Sequence, residues 1–303
     1  MSKRALITWI TSARASSLAA CRRVNLGYRA MRMLEAGALL LRRIGLAPLV
    51  EAVRDRVLAL GGPFEARIGT ARLSGASVPH LAYFRELRAG RERYMSELLE
   101  TATRPGAVVA DAGAHLGYLT QLAAARGARV YAFEPNPETR GLLERGLARS
   151  GLASRVTVVP RALAERTEQR RLYVSGGGDT SSLHEHGTEA REVTVSCVRG
   201  DEFFAPDQRL DVLKLDIEGG EIDALTGLRE TLERSKAGLT VFAECNPDAL
   251  TAAGHDAEAL VATLRGHGLV VYVCDEAACA LMPWSGPPAS GSYVNLVARP
   301  EQS

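Results

Sequence analysis

The sequence predicts an α/β protein built on an open, mostly parallel sheet, with a helical arm ahead of it. Three observations carry this. From residue 108 onward, short apolar runs alternate with segments of helical periodicity, as strand–helix–strand units require. Four of those runs end in carboxylates, Asp111, Glu134, Asp216 and Glu244, where an open parallel sheet presents its ligand-binding edge. And 303 residues at 46% hydrophobic suffice for one large core plus an appendage.

The appendage is expected at residues 1–62, with the main domain over 63–303. Residues 1–62 hold 11 Lys/Arg against 3 Asp/Glu, and no acid precedes Glu35, although the whole chain carries only +2. Apolar residues recur at helical spacing at Leu6, Trp9, Ile10 and Ala13, again at Leu34, Ala38 and Leu41, and again at Val50, Val53, Val57 and Leu60. A basic amphipathic arm of this kind suits a membrane surface, a carrier protein or an organelle import signal; a solvated basic face capping the main domain is the plainer reading. No apolar run approaches the roughly 20 residues that span a bilayer. The five cysteines are odd in number and mostly lie in strand-like runs, which fits reduced thiols in a cytoplasm. Cys274 and Cys279 lack a second ligand pair, so no metal site is expected.

Taken in order, Phe64-Ala66-Ile68 alternates with Glu65 and Arg67, and Gly69-Thr70 turns it into Ala71-Arg72-Leu73 as a small hairpin. Tyr94, Leu98 and Leu99 mark a helix ended by Pro105-Gly106. The central unit follows. Val108-Val109-Ala110 runs into Asp111, Gly113 and Gly117, and the helix of Tyr118, Leu119, Leu122 and Ala123 opens at once. Val130-Tyr131-Ala132-Phe133 closes the unit at Glu134, placed to accept two hydrogen bonds from a ribose diol, while the glycines would let backbone approach a ligand. A nucleoside-containing cofactor is the natural occupant. The turn lacks the middle glycine of a pyrophosphate site, and Asp111 would repel a pyrophosphate but suits an ammonium or sulfonium.

Beyond Glu134, Pro135 and Pro137 start a helix through Leu142, Leu143 and Leu147, stopped at Ser150-Gly151, and Val156 to Val159 is the third strand. Strands at 172–174 and 193–195 flank a polar, glycine-rich stretch from Gly176 to His186. Such a stretch is expected to hold no core position, as either a disordered loop or a lid. Val212 to Asp216 is a strand turning at Gly219-Gly220 into one helix through Ile222, Leu225, Leu228 and Leu232. Helix-dipole carboxylates account for Glu218 and Glu221, but leave Asp216 and the strand-internal Lys214 to be explained by a site. A strand at 239–243, a helix at 256–266 and strands at 269–273 and 293–297 complete the chain, the last two expected as an antiparallel hairpin on the sheet's edge. Trp284, in the Pro-rich loop between them, is a substrate lip or a hydrophobic plug.

These residues resemble the FkbM-type family of S-adenosylmethionine-dependent methyltransferases over roughly residues 104–299. The resemblance rests on VVADAGAHLGYLT, YAFEPNP, the Thr180-Ser181-Ser182-Leu183 segment and, most specifically, LDVLKLDIEGGEIDALTGL. His115 stands where asparagine is usual, and Gly220 where alanine is common. The resemblance implies a class I, Rossmann-like methyltransferase fold: a seven-stranded, mostly parallel sheet with its last strand antiparallel. It further implies S-adenosyl-L-methionine as cofactor and a hydroxyl oxygen as methyl acceptor. By motif, Asp111, Gly113 and Gly117 would line the methionine side, Glu134 would hold the ribose, and Asp216 would sit by the reacting centre. His115, Tyr118, Pro135 and Ala162 complete the expected cofactor set.

Methyl transfer to an alcohol is an in-line displacement in which alignment contributes about 7–11 kcal/mol, and the alcohol must also shed a proton. The expected catalytic group comprises Asp216, Lys214, Glu244 and His184, with His186 as a further base; a histidine of pKa about 6.5 is well matched to that task. The acceptor is read as a small molecule, such as a sugar, a polyketide or another secondary metabolite, free or carrier-bound. Only 5% of residues are aromatic and no basic stripe crosses the second half, so nucleic acid is excluded. Two other classes stay open: a nicotinamide oxidoreductase, which would want G-x-G-x-x-G, and a non-catalytic interaction module, which would not need the acids intact.

Overall fold

The computed structural model describes residues 63–174, 181–184 and 191–301. The helical arm expected over 1–62 and its boundary lie outside them, as do Cys21, His186 and the ends of the glycine-rich stretch.

The described chain opens with β1 (Phe64–Ile68) and β2 (Ala71–Gly75), a two-stranded sheet turned at Gly69-Thr70. Helix α1 (Val78–Ala89), to which the sequence reading assigns nothing, has ordinary helix signals: the Ser77 hydroxyl accepts from His80 N, Pro79 lies in the first turn, and Gly90 ends it at φ 99°. Helix α2 (Arg93–Ala102) follows. Its first two free amides, Tyr94 N and Met95 N, donate to the distant Glu276 carboxylate at 2.8 and 3.0 Å.

The central unit is β3 (Val108–Ala112), α3 (Tyr118–Ala125) and β4 (Arg129–Phe133), continuing into α4 (Pro137–Ser150) and β5 (Val156–Val159). Alternation along β3 divides its side chains between two cores. Val108, Ala110 and Ala112 pack with Leu213, Leu225 and Leu260, while Val109 packs with Leu119, Leu122 and Phe242. Burial on both faces is what a parallel strand covered by helices requires. Gln121 ties the hairpin down, accepting from Arg72 N at 2.9 Å and donating to Arg72 O at 3.0 Å.

A second sheet then departs from the simple alternation. β6 (Ala162–Ala164), β7 (Gln169–Val174), β8 (Ser181–Ser182) and β9 (Arg191–Arg199) form four strands in the order β6-β9-β7-β8. Here the structure corrects the expectation that the glycine-rich stretch holds no core position. Ser182 is fully buried, and its hydroxyl donates to Glu218 O at 2.6 Å.

After the short α5 (Gly200–Phe203) comes β10 (Val212–Leu215). The single helix expected after it is two, α6 (Glu221–Gly227) and α7 (Arg229–Ser235). At the junction the chain lies close against β6: a Cβ on Gly227 would stand 2.1 Å from Ala164 O. The chain ends with β11 (Thr240–Cys245), α8 (Pro247–Ala252), α9 (Ala257–Gly266), β12 (Leu269–Asp275), β13 (Ala280–Pro283) and β14 (Val294–Pro300).

The main sheet has the order β13-β12-β14-β11-β10-β3-β4-β5, eight strands rather than seven. β14 is antiparallel to both β11 and β12. The antiparallel pairing expected of the last two long strands is present, β12 against β14; what differs is that the short β13 lies outside β12 and makes the edge. Trp284 is a plug. It packs against the main core and donates from Nε1 to the Glu258 carboxylate at 3.1 Å, away from the cleft.

Candidate active site

A cleft lies over the carboxyl ends of β3, β4, β10 and β11 among the described residues, lined by Asp111, Glu134, Asp216 and Glu244. At the end of β3 the chain turns through Gly113 at φ 75° and His115 at φ 50°. A Cβ on Gly113 would stand 1.9 Å from Asp216 O, and one on Gly117 would stand 2.2 Å from Leu143 Cδ1. These glycines admit other parts of the protein. This revises the reason expected for them, and Gly117, the residue before α3, does not line the cleft.

The turn places His115 N 2.9 Å from Glu134 Oε2, to which it donates, while Asn136 N donates to Oε1 at 2.9 Å. The Asn136 side chain then caps α4 by accepting from Glu138 N. Glu134-Pro135-Asn136 thus holds a carboxylate by both oxygens and starts the next helix. Burial pushes the Glu134 carboxyl up to about 7, with those two amides pulling the other way. Pro135, Ala162, Tyr118, Gly113 and His115 all line the cleft.

Across the cleft the parallel register sets Lys214 of β10 beside Asp111 of β3. Lys214 Nζ donates to Gly113 O at 2.8 Å and lies 3.3 Å from both Asp111 and Asp216. Burial would lower its pKa, but Asp216, Asp111 and Glu92 outweigh burial and hold it raised. Asp111 also accepts from the Thr120 hydroxyl, so its charge serves as counter-ion to Lys214 more than as a free anion toward a ligand. Asp216, whose side chain is 42% exposed, reaches into the cleft.

The turn after Asp216 is held by Glu221, whose carboxylate accepts from Ile217 N and Gly219 N at 3.0 and 3.4 Å. Glu221 also lies in the first turn of α6, where the sequence reading places it as a helix N-terminal carboxylate. Glu218, at φ 52°, lines the cleft instead. Glu244 of β11 faces Asp216 and Glu218, and one carboxylate oxygen from each of the three lies within 4.8 Å of the others. Burial first, then the charges of Asp216, Glu218 and Glu221, push Glu244 well above the usual carboxylate range.

His184 is a correction. Its ring lies 4.0 Å from Asp223, which also pairs with His255 and Arg170, and it does not line the cleft; its neighbours Ser181 and Leu183 do. Two residues that the sequence reading misses close the far wall. Tyr83, on α1, touches the His115 ring at 5.4 Å between centroids. Glu92, at φ 57° just before α2, is raised to about 7 by burial and by Asp216. Arg91 pairs with Glu86 and Glu92 and stacks at 5.8 Å from both Tyr83 and Tyr293. Gly90 is the local signal of a turn there, but nothing in residues 83–92 reveals that the turn faces Asp216.

Comparison with known proteins follows the same lines. A family model described as the methyltransferase FkbM domain matches residues 111–271. The chain is 29% identical over 188 residues to the hexuronic acid methyltransferase AglP of Haloferax volcanii, covering 58% of this chain and 72% of that protein. It is 30% identical over 155 residues to a probable cobalt-precorrin-6B C(15)-methyltransferase (decarboxylating) of Pyrobaculum calidifontis, covering 48% and 76%. A solved methyltransferase FkbM from Methylobacillus flagellatus superposes with a TM-score of 0.41 at 18% identity, over 72% of this chain and 52% of that one.

Proposed function

Since the chain belongs to the FkbM methyltransferase family and its cofactor is S-adenosyl-L-methionine, we propose that it methylates a hydroxyl oxygen of a small polyhydroxylated acceptor, of the sugar or sugar-acid class. The observation that carries the cofactor half is Glu134: a buried carboxylate, each oxygen fixed by one backbone amide, facing the cleft at the end of β4. That arrangement leaves lone pairs on both oxygens for the two hydroxyls of a ribose.

Bound S-adenosyl-L-methionine supplies a methyl group carried on a sulfonium, already a good leaving group. The protein's own residues do the rest by alignment and proton management. Glu134 fixes the nucleoside end, and the Gly113 carbonyl is itself held by Lys214. Asp216 positions the acceptor opposite. Glu92, at about 7, is well matched to take the acceptor's proton near neutral pH. The named acceptor of AglP, a hexuronic acid, supports oxygen as the methylated atom, and so does a wall of carboxylates able to accept hydroxyl hydrogen bonds. The oxidoreductase and interaction-module alternatives lose their ground with the family assignment.

The test is calorimetric titration with S-adenosylhomocysteine, beside NAD. Binding of the first alone is expected. In Glu134→Ala it should weaken about 10- to 100-fold, the loss of one or two hydrogen bonds to a charged group. Silence toward S-adenosylhomocysteine, or an unchanged affinity in the variant, would overturn the assignment of Glu134.

A further inference from the structure

We infer that Tyr293 is the platform on which the acceptor's sugar ring lies, one C–H face of that ring against the tyrosine and its hydroxyls turned toward Asn295 and Asp216. The inference rests on the sugar-methylation reading of the cleft and names the residue that carries its specificity. Among the described residues, Met282 and Tyr293 are the large hydrophobic side chains left exposed, and of the two only Tyr293 lines the cleft. An aromatic ring gains from an apolar surface laid over it, so a ring left 39% exposed on a cleft wall marks where a ligand rests.

Its position follows from the strand. Tyr293 immediately precedes β14, and Asn295 lies two residues on; both line the cleft, while Val294 between them packs against the main core. Asn295 is in register with Glu244 of β11, and β14 runs antiparallel to β11. Stepping back from Asn295 to Tyr293 therefore moves outward, past the carboxyl end of β11 and toward the mouth. The ring is also anchored. Arg91 lies 5.8 Å from its centre and equally far from that of Tyr83, whose ring stands 5.4 Å from His115 on the glycine turn. The series Tyr293, Arg91, Tyr83, His115 runs from the mouth to the turn that holds Glu134, so an acceptor on Tyr293 lies along the same wall as the cofactor's site. Arg91 is already paired with Glu86 and Glu92, so what this end of the wall offers an acceptor is a ring more than a charge. A pyranose matches it. Its C–H groups carry partial positive charge toward the negative face of the tyrosine, and the hydroxyls around its rim donate to the Asp216 carboxylate and bond the Asn295 amide. An open-chain polyol has the same hydroxyls but no rigid face to lay down.

The experiment is saturation-transfer NMR on the purified chain with S-adenosylhomocysteine present. The probes are methyl β-D-glucopyranoside and methyl β-D-galactopyranoside, with sorbitol as the ring-less control. Irradiating the protein's aromatic protons should saturate one face of a glycoside more than the other, and sorbitol should bind about tenfold more weakly or not at all. Tyr293→Ala should weaken the glycoside about tenfold, and Tyr293→Phe, which keeps the ring, by no more than about threefold. Calorimetry with S-adenosylhomocysteine, unchanged in both variants, shows that they fold. Sorbitol binding as tightly as the glycosides, glycoside binding that Tyr293→Ala leaves alone, or an equal loss in both variants overturns the platform and leaves the acceptor class standing. No saturable binding of either glycoside overturns the platform and the sugar acceptor together, while S-adenosylhomocysteine binding upholds methyl transfer. Glycoside binding that depends on Tyr293, without S-adenosylhomocysteine binding, would keep the platform and sink the methyl-transfer reading.

Discussion

Two strand ends of this protein carry the same four-residue pattern and use it differently. Glu134-Pro135-Asn136-Pro137 follows β4, and Glu244-Cys245-Asn246-Pro247 ends β11. In both, the asparagine side chain caps the helix that starts at the proline, Asn136 accepting from Glu138 N and Asn246 from Asp248 N and Ala249 N. The glutamates diverge. Glu134 sits one residue past its strand and collects amides from Asn136 and from His115 of the neighbouring turn. Glu244 is still inside its strand, in register with Asn295 of β14, and its Oε2 collects nothing. One end is completed by backbone, which suits a cofactor held the same way at every turnover. The other has no such amide, and burial with the charges of Asp216, Glu218 and Glu221 pushes its carboxyl up.

The harshest way to break this contrast is to remove the charge that both halves share. Lys214 spans Asp111, Asp216 and the Gly113 carbonyl from a buried position. Lys214→Met is expected to cost about 3–5 kcal/mol of folding stability, because two carboxylates lose their buried counter-ion. Urea unfolding measures this, and a loss below about 1 kcal/mol would show that water already screens the triad.

Changing pH sharpens the contrast next. Glu92, Glu134 and Glu221 each rise from 4.5 to about 7, burial being the largest cause in all three. The folded chain therefore binds more protons than the unfolded one between those values. Their contribution to stability is complete below about 4.5 and is lost as pH rises through about 7, at about 1.4 kcal/mol per pH unit for each group. Thermal unfolding across that window should show Glu92→Gln with a shallower fall than the unmodified protein; identical slopes would mean that Glu92 is ionised throughout.

The mildest change concerns the turn beneath the acid wall. Gly219, at φ 100°, has Ala249 O 2.4 Å from where a Cβ would stand, while Gly220 has ordinary φ and only the flexible Ile217 Cδ1 at 3.3 Å. Gly219→Ala should cost roughly 1–3 kcal/mol and Gly220→Ala less than about 1 kcal/mol. Equal losses on urea unfolding would mean that the turn yields as a whole.

The sequence by itself determined whatever depends on near neighbours. Period-two and period-3.6 patterns located β3, β4, β10 and their helices. The acids at strand ends marked Asp111, Glu134, Asp216 and Glu244 as the edge where the cleft opens, and the motifs carried the family. What it could not determine are meetings between residues far apart in the chain. Lys214 faces Asp111 because of a strand register spanning about a hundred residues, and Gly113 is glycine because Asp216 O occupies the space of its Cβ. Helices α1 and α2 bring in Tyr83 and Glu92, while His184 leaves the cleft for Asp223. The physical reason is the same in each case. Periodicity and turn chemistry are short-range properties of the chain, whereas the distance between two charged groups is set by register and packing, which exist only once the sheet has formed.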